Sequence, residues 1–287
     1  MNTSLNKKIL PHEIFFGAFL FITLFRLMWN VGIENTATQI YIICISLSIL
    51  LIAYSQVHPT NTVMRLRLFY YFIIGNILFV NMRYAVPLFH PEHMDILLQR
   101  ADNWLIGGNL SLHMQHYASP MLTEIMSICY MLFFPYLIFT IFTYSFAEIA
   151  LSRKFYAGLF TLYGIGFICY TFLPAYGPYI VMAKQFSVPL VGYWVTDLQT
   201  KLYPLGTNYV DVFPSLHCAI SAYILFFDRW YKPWRFRLYL IPCIGIWIAT
   251  IFLRYHYFID AICGFALALF SLWVARSYHL YEKKLLT

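Results

Sequence analysis

The chain has 287 residues, 61% of them hydrophobic and 11% charged, with a formal net charge of +7 and a mean hydropathy of +0.67. Soluble domains carry about 25% charged residues, so the composition excludes a water-soluble globular enzyme and indicates a polytopic, all-α membrane protein. The positive charge does not imply a nucleic-acid partner, because the basic residues fall in short clusters between apolar runs, as the positive-inside rule produces.

At the start, Lys7 and Lys8 precede an apolar run from about Ile14. The run is too long for a signal peptide, carries Arg26 and lacks a small-residue cleavage pattern, so it reads as a retained anchor. Apolar runs near the ~20 residues needed to cross a bilayer recur throughout and predict about eight spans, at 13–33, 37–55, 68–88, 120–146, 154–173, 214–228, 236–254 and 258–276. No repeat interrupts them, and a single integral membrane domain over 1–287 is expected, with N-terminal spans in 1–90, an interfacial segment in 91–119 and a catalytic core in 120–276. Eight crossings put both termini on one face. Thirteen basic residues, among them Lys7, Lys8, Arg65, Arg67, Arg153 and Lys154, fall on that face, against five on the other: Arg83, Arg100, Lys184, Lys201 and Arg254. The termini are therefore expected in the cytoplasm, with the opposite face periplasmic or lumenal (an inner-membrane protein if the source is bacterial). The six cysteines lie in or beside apolar runs without a C-x-x-C pair and read as packing residues.

Two outer segments stand out. Residues 89–119 are polar, and Met94 to Leu105 has the pattern of an amphipathic helix lying on the membrane surface. Its histidines, His90, His93, His113 and His116, read as solvated loop residues. Residues 174–212 open with Pro174-Ala175-Tyr176-Gly177-Pro178-Tyr179 and read as irregular chain near a site.

Ionisable residues at the ends of apolar runs point to function. In Asp211-Val212-Phe213-Pro214-Ser215-Leu216-His217, Pro214 suits the first position of a helix, placing Ser215 and His217 in a first turn whose amides favour an anion. Alternatively, Ser215 is only a cap and His217 an interfacial polar residue. In Leu253-Arg254-Tyr255-His256-Tyr257-Phe258-Ile259-Asp260, the i, i+4 spacing puts His256 and Asp260 on one helix face. A carboxylate holding the Nδ1 proton would leave Nε2 as a nucleophile, and Arg254 offers a fork of donors for phosphate. The bland reading is a structural hydrogen bond and a snorkelling arginine. The predicted topology brings both stretches to the outer face.

P-S-x-H, an apolar span, then H-x-x-x-D resembles the type 2 phosphatidic acid phosphatase superfamily, and Phe213–His217 with His256–Asp260 looks like its fungal inositol phosphorylceramide synthase branch and bacterial relatives. The segments Ala101-Asp102-Asn103-Trp104-Leu105-Ile106-Gly107 and Ser119–Glu124 with Tyr130 resemble the region preceding the core in that branch, so the similarity covers about 100–276. The resemblance implies a six-helix core and a phosphohistidine mechanism without metal or cofactor: His256 as nucleophile, Asp260 orienting it, His217 as general acid and base, Ser215 and Arg254 holding phosphoryl oxygens. Two departures matter. The superfamily's S-R-x-x-x-x-x-H has Thr250 at its first position here, and its K-x-x-x-x-x-x-R-P motif is absent, leaving Tyr176, Tyr179 or Lys184 as substitutes.

The expected function is a lipid-phosphate phosphatase or phosphotransferase acting on the outer leaflet, with a lipid phosphate as partner and hydrolysis slightly favoured. The alternatives are transfer of a phospho-headgroup to inositol or a sugar, a transporter whose main mid-span charge is Arg26, and a metal site using His217, His256 and Asp260.

Overall fold

The computed structural model describes residues 9–284, which are helical with no strand. In chain order the helices are α1 (Pro11–Val31), α2 (Thr36–Val57), α3 (Asn61–Ala85), α4 (Asp95–Ile106), α5 (Leu110–Met114), α6 (Pro120–Met131), α7 (Phe133–Ser145), α8 (Ile149–Phe172), α9 (Pro178–Val181), α10 (Trp194–Gly206), α11 (Leu216–Tyr231), α12 (Pro233–Phe252) and α13 (Phe258–Lys284). Among the described residues, seven stretches are long and apolar enough to cross a membrane: α1, α2, α3 with its extension to Leu88, α6 with α7, α8, α12 and α13. The eighth expected crossing, α11, has 16 residues and rises only about 24 Å, short of the ~30 Å hydrocarbon core. It is enclosed by protein, with every residue from Cys218 to Leu225 buried.

The long helix α8 is the hub, packing on α1, α3, α11 and α13. Small residues permit the close approach that membrane helices need in place of a hydrophobic drive. A Cβ on Gly164 would stand 2.6 Å from the Phe16 amide nitrogen of α1, so only glycine fits there. The fourth expected span is broken between α6 and α7 at Leu132. Pro135 accounts for the break: it lacks the N–H that would bond the Met131 carbonyl, and its ring clashes with that carbonyl.

The third and fifth spans start earlier than the sequence predicts, because charges expected outside lie within their first two turns. Arg67 is fully buried and pairs with Glu13 at 2.5 Å, while Arg65 donates to the Ser145 and Ala147 carbonyls at the end of α7. Lys7 and Lys8, used in the topology count, lie outside the described residues. Arg26 is not a mid-span charge: it donates to the Thr171 carbonyl at 2.7 Å, near the end of α8, and lies over the Phe89 and Phe172 rings.

At the end of the bundle away from the predicted site, Asp228 accepts from Arg235 Nε at 2.5 Å and from Tyr144 Oη at 2.6 Å, with the Asp228 and Arg235 side chains fully enclosed. This cluster joins α7, α11 and α12. Removing one member of such a pair leaves a buried charge uncompensated. Asp228→Ala is therefore expected to lower stability by about 3–5 kcal/mol, read as an earlier unfolding midpoint in detergent micelles.

Candidate active site

The turn between α12 and α13 carries His256. It is a Schellman turn: Tyr255 N–H donates to the Thr250 carbonyl at 3.0 Å and Arg254 N–H to the Ile251 carbonyl at 2.9 Å. Glycine is usual at the left-handed position of this motif, but here Arg254 occupies it with φ +69°, at a cost of roughly 1–2 kcal/mol. The His256 N–H also donates to the Thr250 carbonyl, at 3.1 Å. The α12 end thus fixes the backbone on which the imidazole stands.

The start of α13 is held from outside the bundle. Asp102 of α4 accepts from the Phe258 and Ile259 amides at 3.0 and 2.9 Å, capping α13, and Asp95 accepts from the Tyr176 and Gly177 amides and the Tyr257 hydroxyl. The amphipathic helix predicted over Met94–Leu105 is therefore present as α4, in a particular orientation. Its buried face carries Asp95 and Asp102, at 3% and 0% exposure, while Ile96 and Trp104 point outward at 65% and 85%. These carboxylates, which the sequence places on an amphipathic surface helix without assigning them partners, are structural acceptors inside the molecule.

His256 Nδ1 lies 2.9 Å from the Val212 carbonyl and 3.5 Å from Asp260 Oδ2. A carbonyl only accepts, so Nδ1 carries the proton and Nε2 keeps its lone pair. The expected His256–Asp260 hydrogen bond is thus replaced by one to the backbone. His256 precedes α13, so the pair does not share a helix face, and Asp260 Oδ2 accepts from the Tyr257 amide at 2.7 Å, as an N3 carboxylate does in a capping box. Asp260 stands behind the imidazole as a neighbouring buried carboxyl.

His217 lies across from His256, ring centroids 6.0 Å apart, between the Phe133 and Tyr130 rings at 4.4 and 4.6 Å. Its Nε2 is buried without a hydrogen-bond partner. Helix α11 starts two residues later than Pro214 suggests: Ser215 is the N-cap, its hydroxyl accepting from the Cys218 amide at 3.4 Å. The Ser215 amide donates to the Asp260 carbonyl at 3.0 Å. Gly264 allows this seam between α11 and α13, since a Cβ there would stand 2.6 Å from the Ser215 carbonyl oxygen.

Both imidazoles line a cavity of about 470 Å³. Its polar end comprises His217, His256, Asp211, Thr207, Gln199 and Tyr255, and its remaining walls are mostly aromatic and aliphatic. Asp211 accepts from the Thr207 hydroxyl at 2.9 Å, and burial pushes its carboxyl up. Burial pushes the His256 imidazole down to about 4, against the opposing pull of Asp211 and the Val212 carbonyl. The sequence reading did not single out Gln199 or Thr207, and nothing in their local pattern marks them: α10 brings them in.

The other predicted site residues do not line this cavity. Arg254 lies over the Phe186 ring at 3.9 Å and donates to the Val188 carbonyl. Ser215 is fully buried behind the α11 start. Tyr176 stacks on His93 at 3.6 Å, Tyr179 packs against Tyr203 and Tyr255, and Lys184 is exposed. Among the described residues, no group of three His, Cys, Asp or Glu side chains is arranged to hold a metal ion, and the His217–His256–Asp260 set weighed as an alternative is not among such groups.

An all-helical, multi-pass membrane protein with paired histidines on an apolar cavity is the class that fold and site define. A family model, the PAP2 superfamily, matches residues 96–274, from α4 into α13. The chain belongs to the PAP2 superfamily, a family of phosphatase-type enzymes with a helical membrane fold. No curated protein and no solved structure matches it. The match leaves α1, α2 and α3 outside the family region.

The Asp102 cap generates a prediction. Asp102→Ala is expected to cost about 1–2 kcal/mol, the range for a lost cap, and to speed amide hydrogen exchange at Phe258 and Ile259 while leaving the amides of α2 unchanged.

Proposed function

We propose that the protein hydrolyses or transfers a lipid-linked phosphate through a phosphohistidine on His256, with hydrolysis slightly favoured. The observation that carries this reading is the pair of imidazoles facing each other at 6.0 Å on the polar end of an apolar cavity. Such a cavity suits a substrate that is polar at one end and aliphatic at the other.

In the first step the His256 Nε2 lone pair attacks phosphorus. The ester P–O bond breaks, and the departing oxygen takes a proton from His217, which is neutral while buried among its aromatic neighbours and gains that proton from the entering phosphate monoanion. In the second step neutral His217 removes a proton from water as its oxygen attacks phosphorus. The P–N bond breaks, inorganic phosphate leaves, and His256 returns as neutral imidazole. The Val212 carbonyl holds the Nδ1 proton throughout, and the Asp260 carboxylate offsets the charge that develops on the ring at 3.5 Å. Ser215 and Arg254, expected to hold phosphoryl oxygens, stand away from the cavity, so that role passes to the first-turn amides of α11, whose helix start favours anions. The reaction is read as metal-independent. With α11 counted as a short, protein-enclosed eighth crossing, the basic-residue asymmetry supports cytoplasmic termini and a site on the periplasmic or lumenal face.

Transfer to an alcohol is the second reading. Gln199, Thr207 and Asp211 offer hydroxyl-recognising groups beside the imidazoles, and Gln199 Nε2 already donates to Tyr255 Oη at 3.2 Å. The motif resemblance to the inositol phosphorylceramide synthase branch points the same way.

Purified protein is expected to release phosphate from at least one member of a lipid-phosphate panel, or transfer it to inositol or a sugar alcohol. Turnover should survive a chelator and fall by about 10⁴-fold or more in His256→Ala, as for loss of a catalytic nucleophile. Unchanged turnover in the variant rejects the assignment. The pH profile gives a separate check. The pKa is lowered, so the imidazole stays neutral as pH falls through its ordinary 6.5 and becomes protonated only near 4. The kcat/KM limb due to His256 is expected near pH 4; a limb at the ordinary histidine value contradicts it.

A further inference from the structure

The cavity extends well beyond the groups that chemistry needs. From the two histidines it follows α8 from Tyr170 to Phe160, ten residues or about 15 Å of helix rise. That is roughly half the ~30 Å hydrocarbon core, the depth of one leaflet. At the far end, Tyr71 and Phe160 form an aromatic floor with His12, whose ring centroid stands 4.9 Å from that of Tyr71. Below the floor lies the buried Glu13–Arg67 pair.

One long wall of this slot is α3, through Phe72, Gly75, Asn76 and Phe79. Helix α3 lies outside the 96–274 family region, so this wall falls beyond the stretch matched to the superfamily. Gly75 faces open space, with nothing within 4 Å of a Cβ built on it, and Gly206 of α10, which lines the same cavity, is equally open. Two uncovered glycines lining one apolar slot make room for something slender. Other residues of α3, Ile73 and Ile77, are half exposed on the outside of the protein.

We infer that α3 is the chain-length gauge of the enzyme: the slot between Gly75 and α8 takes one aliphatic chain of the lipid phosphate, and the Tyr71–Phe160 floor limits its length. This rests on the proposed reading for the headgroup at the histidines, but the chain-binding slot itself is independent of which acceptor is used. Selectivity for length would come from buried methylenes, each worth about fourfold in affinity.

The first test needs no turnover. An alkyl phosphate with a photoreactive diazirine at the chain terminus is irradiated with the wild-type protein in micelles, and the labelled peptides are mapped. Label on Tyr71, Gly75 or Phe160, competed by dodecyl phosphate, is expected. Label confined to Ile73 and Ile77, or not competed, overturns the inference even if the protein proves to be a phosphatase.

The second test is the ratio of dodecyl phosphate to octyl phosphate turnover. In Gly75→Phe this ratio is expected to fall about tenfold or more, the loss of roughly two buried methylenes, while Ile77→Phe on the lipid face keeps the wild-type ratio. An unaltered ratio in Gly75→Phe rejects α3 as the gauge. If neither alkyl phosphate nor any lipid phosphate is turned over while the slot still labels, the proposed reaction fails and the chain site stands.

Discussion

Backbone polar groups near a bilayer must be satisfied by protein, because the hydrocarbon offers no partners. This constraint governs the turn that carries His256. Its amides are taken up by the Thr250 and Ile251 carbonyls on one side and by Asp102 and Asp260 on the other. With those partners in place the turn is fixed, and the imidazole can spend its Nδ1 proton on the Val212 carbonyl. Helix α4 matters for this reason. It presents two carboxylates inward and apolar side chains outward, so it holds the turn from outside the bundle while capping the helix that bears Asp260.

The rest of the architecture serves the same arrangement. Helix α11 is short and protein-covered, so its N-terminus meets the cavity at the level of His256 instead of reaching the full width of the bundle. The Pro135 break turns α7 so that Phe133 and Tyr130 sandwich His217. Gly264 lets α13 approach the Ser215 carbonyl. Each is a local packing solution, and together they place two histidines, distant in sequence, on one cavity.

Much of this was legible in the chain itself. The apolar runs located the spans to within a few residues in most cases, because hydrophobic length is a strong signal. The two histidine stretches were visible because ionisable groups beside apolar runs are costly. What the sequence did not disclose is which partner each polar group finds. Asp260, spaced four residues from His256, looked like its hydrogen-bond acceptor, but a helix start intervenes and takes the carboxylate for capping. Arg254 looked like a phosphate ligand, yet it fills the left-handed position of a turn and its guanidinium lies on Phe186. Asp95 and Asp102 looked like polar positions of an amphipathic surface helix, and the pattern named no partner for either. Periodicity specifies a face, and only the tertiary arrangement decides whether that face meets water, lipid or a neighbouring backbone.

The central claim is a covalent bond between His256 and phosphorus. The most direct measurement is rapid mixing of the purified protein with a lipid phosphate that it turns over, an alkaline quench that preserves phosphohistidine, and peptide mapping by mass spectrometry. The account predicts a phosphoryl group on the peptide carrying Tyr255, His256 and Tyr257, absent from His256→Ala. Turnover without phosphorylation of that peptide, or with the phosphoryl group on another residue, contradicts it.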